Sequence, residues 1–237
     1  MRYQAILFDM DGTLLPMDEE KFLEYYITEL AAVMAPYGVD PRTMAKTMWQ
    51  GVGAMVKNDG SRTNEEAFWE VFARLNPAAD LAALQPVTAR FYTEQFHKAK
   101  AATAPTPLAA RAVELARQKA PVVVLATNPL FPMAAQHSRL GWAGLAPAAF
   151  DQITAYEQSR FCKPNPAYYA AICRQLGLDP AACLMIGNDE TEDMQAASAL
   201  GMSGYLITDC LKPSRSDYRW AGPRGSFAQM VEWLQQQ

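Results

Sequence analysis

Two carboxylates one residue apart, Asp9 and Asp11, close a short apolar run and lead into Gly12 and Thr13. Carboxylates this close repel each other and resist joint burial unless a cation or a proton intervenes. A hard divalent cation resolves the conflict. Mg²⁺ suits it, because Mg²⁺ is commonly held by a few carboxylates together with substrate phosphate. Gly12 permits a sharp turn, and Thr13 offers a hydroxyl and an amide to an anion. An acidic surface loop after a core strand would show the same letters without any chemistry.

Three further places have residues of the same temper. Thr127 and Asn128 follow a Val-Val-Val-Leu-Ala run, and a hydroxyl, a side-chain amide and loop amides together can hold phosphate oxygens. Thr-Asn-Pro is also an ordinary turn. Lys163 precedes Pro164 at the expected start of a helix, where the helix dipole disfavours a cation unless anions lie nearby. Asp189, Glu190, Glu192 and Asp193 follow another apolar run. Asp189 and Asp193 are four apart, so a loop and a first helical turn can aim both at one point. Glu190 and Glu192 are expected to point elsewhere, into solvent.

The elements that must position these residues alternate. Tyr3 to Phe8 reads as a buried strand, and Pro121–Ala126, Phe150–Ile153, Cys183–Ile186 and Tyr205–Ile207 read likewise. Helices are expected between them at Leu108–Lys119, Pro129–Leu140, Pro164–Leu176 and Thr191–Leu200, with a last one at Ser226–Leu234. This alternation predicts an α/β fold with a parallel sheet covered on both faces. Ligands of such sheets sit outside the carboxyl ends of the strands, where all four candidate sites fall.

Residues 17–100 differ in texture. They read as helices only: one carrying Phe22, Tyr26, Leu30 and Val33, one from Pro41 to Val56 with Asp40 as its cap, one from Thr63 with Glu66 completing a capping box, and one from Ala79 to His97. The expected organisation is a Rossmann-like catalytic core of residues 1–16 and 106–237 with an inserted all-helical cap, residues 17–100. Hinges are expected near 13–16 and 98–107, where prolines stand.

Asp9-Met10-Asp11-Gly12-Thr13-Leu14 resembles the first motif of the haloacid dehalogenase superfamily. Thr127, the segment Tyr156 to Pro164 with Lys163, and Gly187-Asn188-Asp189 with Asp193 resemble the second, third and fourth motifs, in the right order. The resemblance covers the whole core and implies a Mg²⁺-dependent phosphatase with a C1-type cap. It implies Asp9 as nucleophile and Asp11 as general acid and base. Thr127, Asn128 and Lys163 are then phosphate-binding, and Asp9, Asp189 and the Asp11 carbonyl hold Mg²⁺. Asp193 supports the metal shell or Lys163. An aspartate at position 11 favours phosphoryl chemistry over dehalogenation, since a halide leaving group needs no proton. A phosphomutase of the β-phosphoglucomutase type and a non-catalytic phosphate-binding module remain alternatives. A phosphonatase would need a cap lysine, for which Lys21, Lys46 and Lys57 are available. Lys46, Trp49 and Arg62 could meet a substrate from the cap.

Bulk properties set the remaining expectations. The chain has 237 residues, half of them hydrophobic, and a net charge of −4. That balance, without a basic block, argues against nucleic acid or an anionic membrane as partner. A small phosphorylated metabolite is the expected partner, with the protein a monomer or homodimer. Four cysteines without Cys-x-x-Cys spacing read as free thiols, and two histidines make zinc improbable. With the first strand at the start of the sequence and no long apolar run, a cytoplasmic location without a leader is expected.

Overall fold

A computed structural model describes residues 2–237. Six parallel strands form one sheet: β1 (Ala5–Phe8), β2 (Val122–Leu125), β3 (Gln152–Ile153), β4 (Cys183–Gly187), β5 (Ser203–Ile207) and β6 (Arg224–Gly225). Their order is β3-β2-β1-β4-β5-β6, so the chain winds outward from β1 in both directions. β1 pairs Phe8 with Leu125 on one side and with Ile186 on the other. That registers the carboxyl ends of β1, β2 and β4 side by side. Asp9, Thr127 and Asp189 leave the sheet there.

The central strands β1, β2 and β4 are apolar on both faces because both faces are covered. Ile6, Phe8, Val123, Leu125 and Ile186 belong to one cluster, and Ala5, Leu7, Val124 and Met185 to the other. Helices α5 (Leu108–Lys119) and α9 (Phe227–Gln236) cover the first face with α6 (Met133–Trp142). The second face is covered by α7 (Ala167–Leu176) and by the segment after β4. That segment opens as a π-helical turn, Glu190–Gln195, before a last α-turn, Ala196–Ser198 (α8).

All six strands lie outside residues 17–100. That stretch holds α1 (Glu19–Met34), α2 (Met44–Val56), α3 (Asn64–Leu75) and α4 (Leu81–Glu94). Its entry and exit run together: Met17 and Thr103 form an antiparallel bridge, and the Ala104 amide donates to the Pro16 carbonyl at 2.8 Å. The first face of the sheet and the four helices share one apolar core. Phe96 packs at a tilt against Trp142 with ring centroids 5.0 Å apart, and the Tyr26 ring lies 5.2 Å from that of Phe131.

Several helix ends differ from expectation. α2 starts at Met44 because Asp40 turns back onto Arg42, accepting from its amide and its guanidinium, and so caps no helix. Phe96–Ala102, expected in part as a linker, is a 3₁₀ helix with Phe96, Ala99 and Ala102 buried. α6 begins four residues after Pro129, since Pro132 is extended, and α7 begins three residues after Pro164, with Pro166 as its N-cap. α1 buries Met34, while Val33 is only partly buried. The capping box of Thr63 and Glu66 forms as expected.

Candidate active site

The loop after β1 is shaped by Gly12, which adopts φ +83° and would drive a side chain into Asn188. Asn188 fixes this loop to its neighbours. Its amide nitrogen donates to the Cys210 carbonyl at 2.6 Å, and its oxygen accepts from the Thr13 hydroxyl at 3.1 Å. Thr13 is thus buried and occupied by Asn188, which overturns its expected role toward an anion.

Asp9 and Asp11 line a pocket of about 180 Å³ with Thr127, Asn128, Asp189 and Asp193. Lys163 lies beneath it, fully buried. Its Nζ donates to Asp9 Oδ1 at 2.9 Å and to Asp193 Oδ1 at 2.7 Å. Burial alone would lower the lysine's pKa, but the carboxylates of Asp193 and Asp9 outweigh it and hold the ammonium well above its ordinary range. Asp193 reaches this place because Gly187 has no side chain; a Cβ there would collide with the Asp193 carboxylate. The other Asp193 oxygen accepts from the Asp189 amide at 3.0 Å. Lys163 sits in a loop ahead of α7 rather than on its first turn, so the helix-dipole argument does not apply to it.

Thr127 is held from behind: its carbonyl accepts from the hydroxyls of Thr154 at 2.7 Å and Tyr168 at 2.9 Å. Asn128 donates to Glu192 at 2.9 Å, and its buried oxygen has no partner. Glu192 therefore lines the pocket, with burial pushing its carboxyl up to about 7 against the pull of Lys163. Glu190 is buried as well. It accepts from the amides of Ser214 at 2.9 Å and Trp220 at 3.1 Å, pinning the loop before β6. The expectation that both glutamates face solvent fails because the π-helical turn brings Glu190 to the backbone amides of Ser214 and Trp220 and Glu192 to the side-chain amide of Asn128, partners far away in the sequence.

Two further residues complete the site. Arg139, on α6, is fully buried and forms an ion pair with Asp11 while also donating to Gln136. Its guanidinium lies 4.5 Å over the Phe131 ring. Burial raises the Asp11 pKa even though Arg139 pulls it down. The second Asp11 oxygen is buried without a partner. Lys212 lines the pocket at the carboxyl side of β5 and pairs with Glu19 of α1. Its signal was present, a lysine just after a strand. By contrast, Arg139 offered only one sign, a charge among the apolar positions Ala135, Leu140 and Trp142 of α6.

The expected cap contacts are not in the pocket. Lys21 pairs with Asp18, Arg62 with Glu70, and neither these nor Lys46 and Lys57 line it. The phosphonatase alternative thereby loses its lysine.

Lys163 engages one oxygen of Asp9, and the amides of Thr191 and Glu192 engage one oxygen of Asp189 at 2.8 Å each. The other oxygen of each carboxylate is left for a cation. Among the described residues no three His, Cys, Asp or Glu side chains gather as a metal cage. Two hard carboxylates opening on a pocket fit Mg²⁺, which keeps waters and substrate oxygens in its shell, better than Zn²⁺ or Ca²⁺.

The model of the haloacid dehalogenase-like hydrolase family matches residues 3–201, and the chain belongs to that family. A curated relative, glyceraldehyde 3-phosphate phosphatase of Methanothermobacter thermautotrophicus, is 30% identical over 69 residues, which is 29% of this chain and 30% of that protein. The chain thus matches under a third of that relative's length. Among solved structures, the 2-haloacid dehalogenase of Pseudomonas syringae pv. Tomato DC3000 superposes with TM-score 0.63 at 18% identity over 99% of both chains. The HAD phosphatase of Thermococcus onnurineus superposes with TM-score 0.58 at 18% identity, over 98% of this chain and 97% of that one. At such identity the likeness speaks for the fold. No helix among the described residues is long and apolar enough to cross a membrane.

Proposed function

We propose that this hydrolase is a Mg²⁺-dependent phosphatase that cleaves a small phosphate monoester through an aspartyl-phosphate on Asp9. The observation that carries this reading is the pair of carboxylates with divided surroundings. Asp9 accepts from the buried ammonium of Lys163, which fixes its carboxylate at the floor of the pocket as a nucleophile. Asp11 is a half-buried carboxyl facing the pocket, its pKa raised by burial, and is suited to giving a proton to a leaving alcohol.

In this reading Asp9 attacks phosphorus, Asp11 protonates the leaving oxygen, and Asp11 then takes a proton from the water that cleaves the intermediate. Thr127, Asn128 and Lys163 hold phosphate oxygens as negative charge builds. Asp193 keeps Lys163 aimed. Asp9, Asp189 and the Asp11 carbonyl would hold Mg²⁺, which when bound would neutralise charge between two anions. Residues 17–100 act as a cap that excludes water, turning about hinges near 13–16 and 98–107, whose strands of chain run together at the Met17–Thr103 bridge. The protein works on a free metabolite, without nucleic acid or membrane, as a monomer or homodimer in the cytoplasm.

The test is hydrolysis of p-nitrophenyl phosphate and a panel of phosphate esters, with rapid-quench trapping of a phosphoenzyme. A trapped acyl-phosphate that is absent in Asp9→Asn is the expected result. Turnover that survives that substitution overturns the reading.

A further inference from the structure

The pocket above Asp9 does not end at the catalytic residues. Leu23, Leu130 and Phe131 form its far wall, and the same three residues form the near end of a second cavity of about 130 Å³ between α1 and α2. Ile27, Val52 and Trp49 line the second cavity beyond them. Its volume is close to the roughly 150 Å³ of an apolar cavity that accommodates benzene.

Polar partners are missing from this path. The Tyr26 hydroxyl belongs to the second cavity's lining residue but is engaged with the Tyr92 hydroxyl at 2.7 Å. On the α1 side of the catalytic pocket the one charged residue, Glu19, is paired with Lys212. A sugar or nucleoside lodged here would leave hydroxyls without the hydrogen bonds they make in water, a loss that no side chain along the path repairs. An apolar group instead gains from each methylene removed from water. Trp49, 57% exposed and a large apolar side chain on the surface, lies at this same cavity and has no other evident employment.

Resting on the phosphatase reading, we propose that the leaving group is an apolar alcohol, an aryl or alkyl group whose body lies along Leu23, Leu130 and Phe131 and extends toward Trp49. The discrimination against polyol phosphates then comes from the absence of polar partners rather than from a steric block.

The experiment measures kcat/KM at saturating Mg²⁺ for n-alkyl phosphates from ethyl to octyl, for phenyl and naphthyl phosphates, and for glycerol 3-phosphate and glucose 6-phosphate. The expected result is a rise of about threefold to fourfold per methylene until the second cavity is filled. Both polyol phosphates should fall below the alkyl ester of equal length. A steeper gain with aryl than with alkyl esters assigns the natural leaving group to a ring; the reverse assigns it to a chain. In Trp49→Ala the rise should stop at a shorter chain. Flat dependence on chain length, or preference for the polyol phosphates, overturns the proposal while leaving the phosphatase reading intact. If no ester is hydrolysed, the phosphatase reading falls. Calorimetric binding of methyl- through octylphosphonate then decides the apolar path separately, with at least tenfold tighter binding of hexylphosphonate than methylphosphonate expected and equal binding overturning it.

Discussion

Arg139 and Asp11, 128 residues apart in sequence, meet as an ion pair in which the arginine is fully buried and the aspartate faces the pocket. Arg139 is itself held by Gln136 and by the Phe131 ring, so Asp11 is anchored to a rigid part of the core. Arg139→Met should lower kcat by about 10²-fold with a smaller change in KM, because a misplaced acid costs rate rather than binding. Arg139→Lys keeps the charge without the planar fork and should recover only part of the loss. Equal losses in both variants, with KM carrying the change, would speak against positioning.

Asp11→Asn should separate the two carboxylates by role. The nucleophile stays, so phosphoenzyme forms and accumulates because its hydrolysis lacks a base. The first step should slow by about 10² to 10⁴ for alkyl phosphates and much less for p-nitrophenyl phosphate, whose leaving group needs little protonation. A burst experiment across leaving groups reads this directly, and an equal slowing for all esters contradicts the assignment.

Chelation should abolish turnover, and Mg²⁺ should restore it. Ca²⁺ should restore it poorly, since its longer bonds and larger shell suit a two-carboxylate site badly. Undiminished activity after dialysis against EDTA removes Asp9 and Asp189 from any role as ligands.

Glu190→Ala should act on stability. It removes a buried carboxylate that accepts from two amides of the 214–220 loop, leaving both donors unpaired. The expected loss is about 3 kcal/mol, which for a chain of this size lowers Tm by about 9 °C. Thermal unfolding of Glu190→Gln, which keeps one acceptor, should fall between variant and parent.

What the sequence disclosed and what it hid follow a physical division. The central strands were readable because a parallel strand buried on both faces is a continuous apolar run, as Val122–Leu125 is. The residues that follow those strands were readable because a sheet's carboxyl edge gathers them whatever their separation. β6 was missed because its two residues, Arg224 and Gly225, carry no apolar pattern. Arg139, Glu190 and Glu192 were hidden for another reason. A charged residue on a helix looks solvated until tertiary contacts provide its partner, and here the partners come from distant segments. The late start of α2 turned on a local contest, in which Asp40 bonded Arg42 instead of capping the helix.

The bridge between Met17 and Thr103 gives the core a simple view of what it carries. Because the chain leaves and returns at neighbouring points, everything between them amounts to one long hairpin loop. The closure entropy of such a loop grows only with the logarithm of its length. A module of different size or shape could therefore be grafted at the same two points at little cost in chain entropy. What a replacement must bring is an apolar face to cover Phe131 and Trp142, which the native module shields with Tyr26 and Phe96. The core thus dictates one surface of its companion and leaves the rest of it free to vary.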